Sequence, residues 1–333
     1  MPLTKKCPDG SIAEHGWWRQ NQVTHDQAAI ATKTHSLARG HGNDYEQEDI
    51  MHRIILISLL LIVTASINHA QTSSSARSYF DRALQRYAQG DLDQAIIDFD
   101  AAIAFDPNHA AAYSNRGVAR YSKGDKDGAI RDFNKAIEIN PRAAEAYNNR
   151  GIARRGIGDI DGALADYTRA LELKPRFARA LYNRANIRHG RGDLAGATAD
   201  YTAAIKIDPR LFEAYHNRGQ IRFERGDING AIADYNEAIK ISPSAAFSYI
   251  GRGNARLVKG DIDAAISDYN KAIEIDPLSA EAYIDRGLAL MIQGKTSEAE
   301  REFEQGFRLA PELKGFFDLH INKLKRKIGA KHR

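Results

Sequence analysis

From residue 107 onward every proline falls on one ruler with a 34-residue step: Pro107, Pro141, Pro175, Pro209, Pro243, Pro277 and Pro311. Glycines keep the same step at Gly90, Gly124, Gly158, Gly192, Gly226, Gly260 and Gly294. Seven copies of one unit therefore fill residues 76–313 without insertion or deletion, as 76–109, 110–143, 144–177, 178–211, 212–245, 246–279 and 280–313. A unit this short cannot enclose a core of its own. Its apolar face has to be buried against neighbouring copies, which makes the array a solenoid.

The second unit shows what each copy encodes. Ala112 to Ala119 opens a helix predicted to end near Lys123. Gly124 can take the left-handed conformation that closes it, and Asp125 can cap the next helix through a backbone N–H. Ala129, Ile130, Phe133, Ala136, Ile137 and Ile139 recur three and four apart, the spacing of a helix buried along one face. Pro141 lacks an N–H and disfavours helix in Asn140, so the second helix stops there. Recurrent small residues, Gly117 and its equivalents in the first helix and Ala129 in the second, are expected where layers approach closely. The large residues Phe99, Phe133, Tyr167, Tyr201, Tyr235, Tyr269 and Phe303 are expected to fill the space beside them.

Composition adds exclusions. Lys and Arg number 47 against 43 Asp and Glu, for a formal net charge of +4, so no general polyanion-binding surface is implied. The single cysteine, Cys7, excludes an intramolecular disulfide framework and a thiolate zinc cluster. No phosphate loop, His-Glu-x-x-His zinc motif or Gly-x-Ser-x-Gly nucleophile turn is present, so neither enzyme activity, cofactor nor metal is expected.

The first 75 residues lack the period. Residues 1–50 are read as disordered or as an untranslated extension. Residues 51–70 begin Met51-His52-Arg53 and continue through the apolar run Ile54 to Ile67, the layout of a secretory signal with Ala65 or Ala70 as the last residue removed. On that reading translation starts at Met51 and residues 71–75 are a linker. An uncleaved signal anchor and a buried N-terminal helix of the solenoid stay open as alternatives. The expected location is outside the cytoplasm of a bacterial-type cell, soluble in the periplasm or tethered to the membrane.

The stretches Tyr113–Gly117, Tyr147–Gly151, Tyr215–Gly219 and Tyr283–Gly287, followed by the Gly-Asp, Ala, aromatic, Ala and Pro series (with Lys295 for Asp in the last unit), closely resemble the tetratricopeptide repeat family. The resemblance implies an all-α, right-handed superhelical solenoid of seven helix-turn-helix hairpins, with residues 314–333 as a capping helix and basic tail. It also implies a non-enzymatic scaffold that holds an extended segment of a protein or peptide partner along the first helices. Asn115, Asn149, Asn183 and Asn217 would line that groove, each able to donate to and accept from a main chain irrespective of its sequence. The alternative is that these amides bond neighbouring helices or water. Arg155, Arg179, Tyr182, Asn186, His216, Gln220 and Phe223 give the central units a polar, aromatic lining. Phe247, Ile250, Leu257, Ile284, Leu288 and Met291 form an apolar end, suited to a hydrophobic anchor, to self-association or to packing under the C-terminal helix. Tyr182, Phe247 and Gly251 stand where some family members place cations to clamp a chain-terminal carboxylate, so that role is not expected.

A second series runs through Arg82, Arg116, Arg150, Arg184, Arg218, Arg252 and Arg286. Each precedes an acid by sixteen residues, from Asp98 to Glu302. That offset predicts ion pairs between the two helices of one hairpin rather than a phosphate-binding stripe, because neutralised arginines release few counterions. Nucleic acid is therefore not an expected partner, and a membrane is one only if the apolar run is retained.

Overall fold

The computed structural model describes residues 44–315, 317 and 321, with the side chains of 44–48 and 67–70 left aside. Its first helix, α1 (Asp44–Ala88), crosses a boundary between Ser74 and Ser75 that divides the chain into two units. Residues 71–75, expected as a linker, are helical, and so are 44–50. No proline or glycine falls between Asp44 and Gln89 to interrupt the helix. In the first unit Ile55, Leu56, Ile57, Leu59, Leu60, Leu61, Ile62 and Val63 are all exposed, so apolar side chains ring the helix without a polar face. An 18-residue window there reaches a mean hydropathy of 2.2, long and apolar enough to cross a membrane.

The second unit is an array of helical hairpins. The C-terminal part of α1 pairs with α2 (Leu92–Phe105), whose Ala95, Phe99 and Ala102 share a core with Ala83. Next come α3 (Ala110–Ser122) with α4 (Lys126–Ile139), α5 (Ala144–Gly156) with α6 (Ile160–Leu173), and α7 (Ala178–Gly190) with α8 (Leu194–Ile207). The last three pairs are α9 (Phe212–Glu224) with α10 (Ile228–Ile241), α11 (Ala246–Lys259) with α12 (Ile262–Ile275), and α13 (Ala280–Ile292) with α14 (Thr296–Leu309). Each second helix also packs on the first helix of the following hairpin, so the core continues from layer to layer. This is an all-α solenoid. Among the residues of the expected C-terminal cap, Lys314, Gly315, Phe317 and Ile321 are helical, and Ile321 is buried against Met291 and Phe303. The basic tail lies outside the described residues.

The turns obey the two rulers. All seven ruler glycines have φ between 78° and 95°, a region costly for any residue with a Cβ. The residue before each ruler proline from Pro107 to Pro277 leaves helical geometry, as Asn140 does at φ −129° and ψ 89°. The aspartates after the ruler glycines cap unequally. Asp125, Asp159, Asp193 and Asp227 accept from the amides of Gly128, Gly162, Gly196 and Gly230 at 2.8–2.9 Å. A Cβ at any of these glycines would lie 2.0–2.2 Å from the capping carboxylate. Where alanine occupies the place, at Ala264, Asp261 makes no side-chain cap bond. In the first hairpin Asp91 still caps Gln94, which carries a Cβ, but at 3.3 Å, so glycine at this place goes with the tighter cap.

The first-helix glycines serve a different purpose from the one expected. Gly117, Gly151, Gly219, Gly253 and Gly287 lie under Phe133, Tyr167, Tyr235, Tyr269 and Phe303, where a Cβ would come within 2.6–3.1 Å of the ring. They therefore close each hairpin on itself rather than one layer on the next.

Layers are joined by guanidinium groups. Arg116 binds Asp132 with two parallel bonds at 2.9 and 2.6 Å, and the same pattern holds Asp98, Asp166, Asp200, Asp234 and Asp268. A second arginine one turn on, Arg86, Arg120, Arg154, Arg188, Arg222 or Arg256, reaches the other side of each carboxylate at 2.7–3.0 Å. The remaining nitrogen of the first arginine crosses to the preceding hairpin: Arg116 to Asp100, Arg150 to Asn134, Arg218 to Thr202, Arg252 to Asn236 and Arg286 to Asn270. A tyrosine ring one turn earlier lies 4.8–5.7 Å from six of the seven guanidinium carbons. Bidentate geometry satisfies the buried carboxylates that charge alone would leave costly.

Candidate functional site

The first helices of successive hairpins touch, with α3 on α5, α9 on α11 and α11 on α13, so their side chains line one face. The expected asparagine series lies on it, but the four amides are not equivalent. Asn115 donates to Ala111 O of its own helix, and Asn149 accepts from Asn148 at 3.2 Å. Asn183 is buried and donates to Asn148 of the preceding hairpin at 3.0 Å. Asn217 donates to Asn186 Oδ1 at 2.9 Å, where the Tyr201 hydroxyl also donates at 2.5 Å. Asn183 and Asn217 thus fasten neighbouring helices together. Identical residues on the ruler meet different neighbours, which the period alone does not reveal.

Arg155 and Arg179 are exposed, the latter 3.7 Å from Glu213. Tyr182 tilts over Tyr201 at 6.0 Å. The Tyr167 hydroxyl is buried without a hydrogen-bond partner, and burial pushes it up to about 12.

Three other expected residues, His216, Gln220 and Phe223, come together on α9 at a cleft of about 390 Å³. Glu224 completes that wall; Phe247, Ile250, Gly251 and Asn254 of α11 form the opposite one, with Tyr235 and Glu281 between and beyond them. Gly251 occupies the ruler position that carries asparagine in the second to fifth units. A Cβ there would lie 2.7 Å from Tyr235 Cζ, so its absence exposes the hydroxyl end of that ring to the cleft. The His216 ring stands edge-on to Phe247 at 4.5 Å and approaches Ser248 Oγ at 3.3 Å through Nδ1. Burial lowers His216 to about 4, which leaves it neutral at neutral pH.

The apolar end divides. Phe247 is 46% exposed beside the cleft, whereas Ile284 and Met291 are buried with Ile321 and Phe317 around them. Ile284, Leu288 and Met291 are therefore core beside the C-terminal segment, while Phe247 and Ile250 line the cleft.

One residue behind the cleft is not singled out by the sequence pattern. Asp285 continues the asparagine series 34 residues after Gly251. It is only 8% exposed, and its Oδ2 has no hydrogen-bond partner among the described residues. Burial, then the charge of Glu281, pushes its carboxyl up to about 7, against a lowering hydrogen bond from Asn254. The Tyr269 hydroxyl donates to Asn254 Oδ1 at 2.6 Å, the same arrangement as Tyr201, Asn186 and Asn217, with a carboxyl replacing the last amide.

These hairpins define a helical-repeat scaffold. Sequence profiles described as TPR repeat match residues 83–124, 219–258 and 253–294, and profiles described as Tetratricopeptide repeat match 110–142, 148–212 and 280–313. The chain belongs to the tetratricopeptide repeat family. Comparison with curated proteins finds no match. Among solved structures, a tetratricopeptide repeat protein from Parabacteroides merdae is 20% identical, with 71% of this chain and 94% of that one covered at a TM-score of 0.54. PilF of Pseudomonas aeruginosa is 18% identical, with 68% and 99% covered at a TM-score of 0.60. PilW, a widely conserved type IV pilus biogenesis factor, is 19% identical, with 62% and 96% covered at a TM-score of 0.56. At these identities the likeness is one of fold.

Proposed function

We propose that this protein is a non-enzymatic scaffold that holds an extended peptide segment of a partner along its first-helix face, centred on the fifth to seventh hairpins. The observation that carries the reading is the cleft at His216, Gln220, Phe223 and Phe247, which opens that face between two successive hairpins. Asn115, Asn149 and the exposed Arg155 and Arg179 extend the contact toward the first hairpins, while Asn183, Asn186 and Asn217 hold the face in shape. Tyr182 supplies an aromatic edge between the two regions.

The test is a photo-crosslinking residue at exposed Gln220, compared with one at exposed Arg131 of α4, in envelope extract. The reading requires adducts from the Gln220 position whose partner side maps to one linear segment. Equal labelling from both positions, or adducts scattered over a folded surface, would discard it.

A second reading, a membrane-tethered assembly component of the cell envelope, is favoured by one observation: the exposed helix from Ile55 to Val63, apolar except at Ser58. The part PilW plays in pilus biogenesis is compatible with it. Fractionation decides between the two locations, since a tethered protein stays in the pellet after alkaline carbonate washing and an exported soluble one does not.

A further inference from the structure

Six buried aspartates of the array, from Asp98 to Asp268, each hold two arginines. Asp285 is buried to the same degree as these and has no cation within 4 Å among the described residues. Both groups acting on it electrostatically, Glu281 and Asn254, line the cleft. Glu281 is exposed there and likewise makes no ion pair among the described residues. Glu224, on the opposite wall, has the His189 ring at 3.4 Å as a partner among the described residues. Among the described residues no lysine or arginine lines the opening, and three aromatic rings, Phe223, Tyr235 and Phe247, do. Carboxylates at the rim and π-faces on the walls stabilise the same kind of guest, a cation on a partly apolar stem.

We infer that the cleft receives a lysine or arginine side chain of the bound segment, with its alkyl stem against Phe223 and Phe247 and its charged head toward Glu281 and Asp285. This rests on the peptide-binding reading and adds a chemical preference to it. Asp285 lies outside the lining with its Oδ2 buried, so the head would act on it through space from beside Glu281 and Asn254, not by the direct bonds that the other six aspartates receive. An acidic guest would meet Glu224 and Glu281 unscreened and is rejected.

The test uses the full chain in detergent micelles, labelled at isoleucine methyls and followed at Ile250. The probes are N-acetyl-lysine methylamide, its arginine counterpart and the neutral norleucine analogue. Both cationic probes should move the Ile250 methyl and bind about tenfold tighter than the norleucine probe, the scale of one charge-assisted contact. The double variant Glu281→Gln, Asp285→Asn should reduce the lysine probe to the norleucine level. Asn at 285 restores the residue type of the second to fifth units, and unchanged helical circular dichroism confirms the fold. Equal binding of the norleucine probe, or a double variant that binds lysine as before, overturns the inference.

A second arm uses end-capped peptides of about eight residues with a central lysine or glutamate, long enough to run along several hairpins. Preference for the lysine peptide supports both readings. Binding of the small cations with no peptide binding sustains the cationic pocket and removes the peptide groove. Equal binding of both peptides sustains the groove and removes the cation preference.

Discussion

Asp132 and Asp285 are both almost inaccessible carboxylates in the same repeat framework, yet they live under opposite conditions. Asp132 is gripped by Arg116 through both oxygens and by Arg120 from the side. Asp285 has a nearby acid, Glu281, and an oxygen with no partner among the described residues. In the first case burial is compensated and the group is a fastener. In the second a hydrogen bond from Asn254 offsets burial only in part, and Asn254 itself lines the cleft between α9 and α11. The contrast separates paired from unpaired charge: the fasteners recur from hairpin to hairpin, and the exception stands next to the cleft.

Breaking a fastener should have the largest effect. Asp132→Ala leaves two guanidinium groups facing a dry cavity, and removal of one partner of a buried pair costs about 3 kcal/mol. Arg116 and Arg120 retain some access to water, which softens the loss. Urea unfolding followed by circular dichroism should show the drop, and an unchanged midpoint would mean that the pairs are dispensable.

Filling the cleft comes next. Gly251→Asn installs the amide of the earlier units, but its Cβ would press on the buried Tyr235 ring. Overpacking of this kind costs roughly 1–3 kcal/mol. Peptide capture should disappear while the helices persist. Retained capture would place the binding surface elsewhere.

A third effect has the opposite sign and depends on pH. The Asp285 carboxyl titrates near 7 in the folded chain, above its ordinary 3.8. Between those values the folded state binds more protons than the unfolded one, so its stability falls as pH rises through the window. Asp285→Asn removes that slope. The variant should match the parent at pH about 4 and melt higher at pH about 8, by roughly 2–4 °C for each kcal/mol recovered. His216, lowered to about 4, opposes this by destabilising the fold as pH drops below its ordinary 6.5. Variant and parent therefore need to be compared at matched pH rather than against one baseline.

Much of the fold was legible because the controlling residues act locally. Gly124 and Pro141 set helix ends through their own backbone geometry, and Arg116 with Asp132 sits at an offset that a hairpin fixes. What escaped depended on cross-hairpin context. Asn183 reads the same as Asn115, but Asn148 waits for it one layer back and takes its amide inward. The second arginine series, from Arg86 to Arg256, repeats at the full period yet acquires meaning only beside the first. Gly251 and Asp285 interrupt the asparagine series, and that interruption was the available signal for the cleft. The division between the two units falls at Ser74 and Ser75, inside the expected linker 71–75, yet that linker is helical because no helix-stopping residue stands there.

The crossing guanidinium bonds give the array a polarity. Each such arginine reaches backward, from its own hairpin to the one before it, as Arg150 does to Asn134. Deleting hairpins from the C-terminal end leaves the crossing bond of every surviving arginine of this set in place. Deleting the same number from the N-terminal end strands the new leading arginine wherever it is Arg116, Arg150, Arg218, Arg252 or Arg286. Of two shortened chains of equal length, the one trimmed at its tail should unfold less readily, so that the order in which hairpins are lost, and not merely their number, governs how well the remainder holds.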